Sequence, residues 1–170
     1  MIDKISVTFG SQAVLNQIIK RYPKRQLALF AGISGTSGVQ LIDYSGKSPI
    51  FVTPITYRVV DHSGTDDWHD YLNIIQVTPD EQHRKVLNSR ASDFISNPHQ
   101  PNGLQSVYYL KAENNQDQKI LLTTWKSEFD CLAWKKTAAA AFITYQNFKN
   151  DFTVDYHDSS YQALEQKQNI

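Results

Sequence analysis

The run Tyr71-Leu72-Asn73-Ile74-Ile75-Gln76-Val77-Thr78-Pro79-Asp80-Glu81 decides the fold. Tyr71, Ile74 or Ile75, and Val77 make a strand. Thr78 is placed to cap a helix, Pro79 suits a first helical position where no amide hydrogen is needed, and Glu81 completes a capping box. The helix heads towards Phe94 and breaks at Asn97-Pro98 and the Pro101-Asn102-Gly103 loop. Leu104 to Ala112 and Lys119 to Trp125 then read as a hairpin around Asn114-Asn115-Gln116-Asp117. Ser127, with Asp130 three residues on, opens a second helix through Ala138 to Ala141, and Phe152 to Tyr156 supplies a last strand. The tail after His157 is polar and is expected to fray. This half spells β-α-β-β-α-β, the ferredoxin-like order.

Working back towards Met1, Ile5, Val7 and Phe9 alternate with Ser6 and Thr8 as a half-buried strand does. Ser11 caps a helix whose Val14, Leu15, Ile18, Ile19 and Tyr22 fall at helical spacing, and Pro23 stops it. Leu27 to Phe30, Val39 to Tyr44 and Ile50 to Val60 follow as strands, the last divided by Pro54. The first half is thus β-α-β-β-β, the same order without its second helix. His62 to Trp68 reads as a connector. The division is residues 1–62, a ferredoxin-like domain at 68–159 and a polar tail at 160–170. The class is α+β, with two open antiparallel sheets packing face to face inside one chain.

Composition narrows the partners. The chain has 170 residues, 41% hydrophobic, an ordinary globular make-up. Lys plus Arg and Asp plus Glu number 17 each, so no net field attracts phosphate backbones or anionic lipid, and nucleic acid is not an expected partner. A single cysteine, Cys131, excludes an internal disulfide and fits a reducing compartment, read as the cytoplasm. No apolar stretch approaches the length of a membrane span, so no membrane is expected either.

Little in the residues signals a reaction outright. The five histidines sit in connector, helix start, loop and tail, and no nucleophile elbow accompanies them. Gly32, Gly35 and Gly38 lack the Lys-Ser/Thr ending of a phosphate loop and read as a hairpin turn. His62 and His69 flank Asp66 and Asp67, a set read as solvated loop rather than metal site. Cys131 reads as a small buried hydrophobe. Trp125, Phe129 and Trp134 gather at the last strand-to-helix junction. Trp134 departs from the Phe129, Leu132, Ala133 spacing and is expected on a different surface. Asn73 is polar within an apolar strand, either facing solvent or aiming a donor into a cavity.

These residues also carry a resemblance. Tyr71 to Thr78, Ser89-Arg90-Ala91, Pro101-Asn102-Gly103-Leu104, Leu121 to Ser127 and Ala133-Trp134 together resemble the antibiotic biosynthesis monooxygenase (ABM) domain, with the IsdG-like haem-degrading monooxygenases as the nearest branch. The likeness extends to the longer HmoB-type proteins and their TRAP-type signalling relatives through Ile5 to Gly10 and Pro54 to Asp61. It implies a dimeric α/β-barrel type of ferredoxin-like fold, formed by a homodimer or by an intrachain pseudo-dimer. It also implies a haem or other small-molecule ligand. Asn73 matches the family's distal Asn and Trp134 the Trp that presses on the porphyrin. The position of the axial His, counted without gaps, falls on Thr144, and Tyr145 beside it is a phenolate donor if the register shifts. No His lies between His99 and His157. The resemblance therefore implies a haem-degrading monooxygenase-like protein lacking its usual ligand. A TRAP-like signalling protein or a cofactor-free small-molecule binder on the same fold is the alternative.

Overall fold

Ile5, Ser6 and Val7 are all buried, so β1 is covered on both faces at its start, while Phe9, on the same face as Ile5 and Val7 and expected to alternate with the core, is 53% exposed where the strand runs out. The structure, a computed structural model, describes residues 2–144, Phe148 and 155–165. The elements run β1 (Lys4–Gly10), α1 (Gln12–Arg21), β2 (Leu27–Ile33), β3 (Val39–Asp43), β4 (Ile55–Gly64), β5 (Tyr71–Thr78), α2 (Glu81–Ser96), β6 (Leu104–Ala112), β7 (Lys119–Trp125), α3 (Glu128–Lys135), a 3-10 turn at Ala138–Ala140, and β8 (Asp155–Ala163).

The strands close a barrel in the order β1-β3-β2-β8-β5-β7-β6-β4, every described pair antiparallel. Two open sheets packed face to face are therefore not what forms. Each half contributes the same arrangement, β4-β1-β3-β2 and β8-β5-β7-β6. The seams are β2 against β8, from Phe30↔Ala163 to Ile33↔Ser160, and β4 against β6, from Tyr57↔Ala112 to Gly64↔Ser106. A bulge between Val59 and Asp61 bends the second seam. Gly64 ends it with φ +98°, where a Cβ would drive into the Gln105 carbonyl.

Three apolar clusters follow. Inside the barrel, Ile5, Phe30, Ile42, Leu72, Tyr108, Leu122 and Tyr161 meet from both halves. Outside, α1 seals the first half through Leu15 against Leu29, Leu41 and Phe51. The largest cluster lies between the second half of the sheet and its helices, with Leu87, Ala91 and Phe94 of α2 and Cys131 and Trp134 of α3 on Tyr71, Ile75, Val107 and Trp125.

Several boundaries differ from the sequence reading. The helix cap is Asp80, not Thr78, which ends β5; the Asp80 carboxylate accepts the His83 amide (2.8 Å) and also meets His83 Nδ1 (2.8 Å). An ionised carboxylate at the helix N-terminus draws on the dipole as well as the hydrogen bond. Strand pairing starts only at Ile55, because Pro54 has no amide hydrogen for the ladder, and the strand runs on to Gly64, past position 62. Trp68 is no connector residue, since it fills one end of the barrel. The helix expected through the alanine run stops at Lys135: the Thr137 amide and hydroxyl both take the Trp134 carbonyl (2.9 and 2.7 Å), the acceptor a continuing helix needs for residue 138. The last strand is Asp155–Ala163, so residues 160–163 are sheet rather than frayed tail. Of the expected strand Phe152 to Tyr156, the first three residues lie outside the described ones.

Candidate functional site

The strand β5 puts Tyr71, Asn73 and Ile75 on its helix-facing side by simple alternation. Asn73 is 1% exposed, so it faces the layer beneath the helices rather than solvent. Its Nδ2 donates to Asp158 Oδ1 (2.7 Å), the Ser159 carbonyl (3.1 Å) and Ser160 Oγ (3.4 Å) on the neighbouring β8. Lys135, at the end of α3, reaches down to both oxygens of Asp158 (2.9 and 2.7 Å). Tyr71 donates to Ser160 Oγ (2.8 Å) and lies beside Cys131, one turn before Lys135. Burial pushes both the Tyr71 phenol and the Cys131 thiol up to about 12. The thiol is therefore a neutral, unreactive packing group.

Trp134 is 3% exposed and stacks on Phe94 (centroids 5.2 Å), with Trp125 tilted against it at 5.4 Å. It does face a different surface from its neighbours, since Phe129 is 78% exposed and Leu132 is exposed too. Two polar atoms in this layer are buried without a hydrogen-bond partner among the described residues: the acceptor Asn73 Oδ1 and the donor Trp134 Nε1. An unpaired buried polar atom carries a desolvation cost, and six others lie elsewhere among the described residues, from Gln40 to Gln105.

Beside this layer a cavity of about 770 Å³ opens between α2 on one side and Ala138, Ala139, Ala141, Phe142 and Phe148 on the other. Leu87, Phe94, Phe142 and Phe148 form its floor, Ala138, Ala139 and Ala141 one wall, and Gln82, His83, Arg90, Asp93 and Asn97 its polar rim. Phe142 leans on Phe94 at 5.8 Å, so the ring that supports Trp134 also floors the groove. Asn73 does not line the groove. The sequence reading found Asn73 and Trp134 but not the groove. Its signal was available as the spacing of residues 82, 86, 87, 90, 93, 94 and 97, one helix face mixing apolar and polar groups.

Thr144 is half-buried just after the 3-10 turn, with its amide on the Ala140 carbonyl (3.2 Å). It is not on the helix that carries Trp134. Tyr145 lies outside the described residues. The residues expected to receive haem do not fit its iron: a threonine hydroxyl is a weak donor, the Asn73 amide is engaged with β8, and Trp134 is packed between Phe94 and Trp125. At the barrel end, Tyr108 donates to Asp66 (2.5 Å), His62 stacks on Tyr108, and His69 pairs with Asp67 (2.5 Å). Among the described residues no group of three or more His, Cys, Asp or Glu could hold a metal ion.

Comparison with known proteins agrees on the fold class. The structure is similar to an uncharacterised ferredoxin-fold protein of Listeria monocytogenes related to antibiotic biosynthesis monooxygenases (TM-score 0.73, 23% identity, 97% of this chain and 96% of that one). It is similar also to a haem-degrading enzyme of the same organism (TM-score 0.67, 23% identity, 94% and 98%). These likenesses show a shared ferredoxin-type fold. A structure described as a major regulator of staphylococcal pathogenesis superposes with TM-score 0.81 at 16% identity, over 95% of this chain and 99% of that one. In sequence, the signal transduction protein TRAP of Staphylococcus epidermidis is 28% identical over 113 residues, 66% of this chain. The match spans just under two thirds of that relative's own length, also 66%. No protein-family model matches the chain. Among the described residues no helix is long and apolar enough to cross a membrane.

Proposed function

We propose that this protein binds a planar, mostly apolar organic molecule of the polycyclic aromatic or porphyrin class in the groove between α2 and the alanine wall of Ala138, Ala139 and Ala141, as a monooxygenase-like protein of the ABM type. The groove itself carries this reading. Its volume lies within the range of small-molecule sites, its walls are alanine and phenylalanine, and its polar groups are confined to the rim. The haem-degrading neighbour lends the ligand class. The unpartnered Asn73 Oδ1 and Trp134 Nε1 support it from the adjoining layer. Since each half of the barrel comes from the same chain, one chain is the functional unit, with one groove. We assign it to the cytoplasm, acting on a small molecule rather than on nucleic acid or a membrane.

Thr144, where the axial His was expected, is a weak donor, and the imidazole on the groove rim, His83, is held through Nδ1 by Asp80 (2.8 Å); the ligand is held by shape and not through its iron. Titration with haemin and with metal-free protoporphyrin, read by the Soret band and tryptophan emission, tests this. Saturable one-to-one binding of both with similar affinity is expected, and absence of a saturable response to either overturns the reading. A second reading, a signalling protein of the TRAP kind, rests on the 28% identical relative. It gains if neither porphyrin binds while the purified chain retains its fold.

A further inference from the structure

The groove runs the length of α2. Its lining residues from Gln82 to Asn97 sit three or four apart, so at 1.5 Å per residue the lined face extends about 22 Å. Along it the charges are few and separated. Among the described lining residues Arg90 is the one Lys or Arg and Asp93 the one carboxylate. The other arginines near carboxylates are held: Arg25 by Asp43, Arg58 by Glu113, Arg84 by Asp117. Arg90 makes no ion pair or hydrogen bond among the described residues, not even with Asp93 one turn away on the same helix. An unengaged guanidinium beside Val86, Leu87 and Phe94 is a planar donor fork at the edge of an apolar floor.

We infer that the groove selects an anionic ligand, an aromatic carboxylate or sulfonate, and that Arg90 is the residue that determines this specificity. The ring system lies on Phe94 and Phe142 against the alanine wall. The acid group pairs with Arg90 in a charge-assisted, two-point hydrogen bond, and Asp93, one turn further along α2, repels it from the Asn97 side of Arg90, which fixes the direction in which the ligand lies. This rests on the groove reading above but can fail separately from it.

The test uses a matched pair of fluorescent probes, anilinonaphthalene sulfonate and phenylnaphthylamine, which share their rings and differ by the sulfonate. The wild-type chain is expected to bind the sulfonate about tenfold tighter than the neutral probe, a preference that shrinks as salt rises. Arg90→Gln removes the preference, so that the two probes bind alike, while Asp93→Asn widens the preference about threefold. Ala139→Trp fills the groove and abolishes both, which locates the binding. If Arg90→Gln leaves the preference intact, the inference is overturned and the groove reading stands. If the neutral probe fails to bind, or binds equally well to the Ala139→Trp chain, the groove reading itself falls.

Discussion

The two halves of the barrel supply the same four-stranded sheet and cover it differently. In the first half α1 and a loop that drops Phe51 onto Leu15 and Leu41 close the outer face. In the second half α2, α3 and a short 3-10 turn cover it, and between them stays a cavity. The sheet order is indifferent to this change, because each half's strands pair within the half and at the two seams whatever lies outside. The barrel is thus the scaffold, and the capacity to bind lies where the second half departs from the first.

Ion pairs give the largest contrast. Arg25 holds Asp43, a carboxylate 2% exposed that also accepts the Ser45 amide. Arg25→Met leaves that charge buried and unpaired, and a loss of about 3–5 kcal/mol in urea unfolding is expected. Lys135 and Asp158 are nearer solvent, so Lys135→Met is expected to cost about 1–2 kcal/mol. Equal costs would mean that the polar layer under α3 is as dry as the first half's core.

Phe51 and Phe94 form a matched pair, each 8% exposed. Truncating either to alanine is expected to cost about 3–4 kcal/mol. Only Phe94→Ala should alter probe or porphyrin binding. If Phe51→Ala weakens binding as much, the division between scaffold and site is wrong.

Burial raises phenols in both halves, Tyr44 and Tyr57 in the first and Tyr71 in the second, and the buried thiol belongs to the second. Burial raises the Cys131 thiol from 9.0, and the Tyr71 phenol from 10.0, to about 12. A raised folded value favours the protonated native state, so this contribution is complete below about pH 9 and is lost as pH rises towards 12. Each group steepens the fall in unfolding free energy by at most about 1.4 kcal/mol per pH unit. Cys131→Ala should flatten the slope between pH 9 and 12, whatever its effect on stability at neutral pH. An unchanged slope would mean that the thiol reaches water.

The helix caps give the smallest contrast. Asp80 takes the His83 amide at 2.8 Å and Ser11 the Val14 amide at 3.3 Å. Asp80→Ala is expected to lower the thermal unfolding midpoint, and Ser11→Ala to lower it less. Backbone and side-chain hydrogen bonds from His83 hold the Asp80 carboxyl below its usual range. Its share of stability is therefore present above the ordinary carboxylate value and is lost as pH falls through the lowered one.

What the sequence made legible was local. Alternation located β1 and β5, helical spacing located α1, and Ser127 with Asp130 located the start of α3, because each depends on neighbours a few residues away. The misjudged elements depend on distant partners. β8 reads as Asp-Tyr-His-Asp-Ser-Ser-Tyr-Gln-Ala, too polar to look like a strand, and is held as one by β5 and β2 on its two sides. The alanine run has helical propensity, but Thr137 takes the carbonyl that the helix needed. Asn73 and Trp134 were found as unusual residues in apolar settings. Arg90 and Asp93 were not, since an exposed charged residue on a helix looks the same whether it borders solvent or a cavity.

The position of β8 between β2 and β5 has a consequence for how the chain folds. Its pairing with β2 joins segments from near opposite ends of the sequence, and such non-local contacts carry a large loop-closure cost before they reward it. The hairpin of β6 and β7 and the strand–helix unit of β5 and α2 can form while the chain is still emerging from a ribosome. The ring cannot close until β8 has paired with both β2 and β5, so closure of the barrel waits on a polar, weakly strand-forming segment.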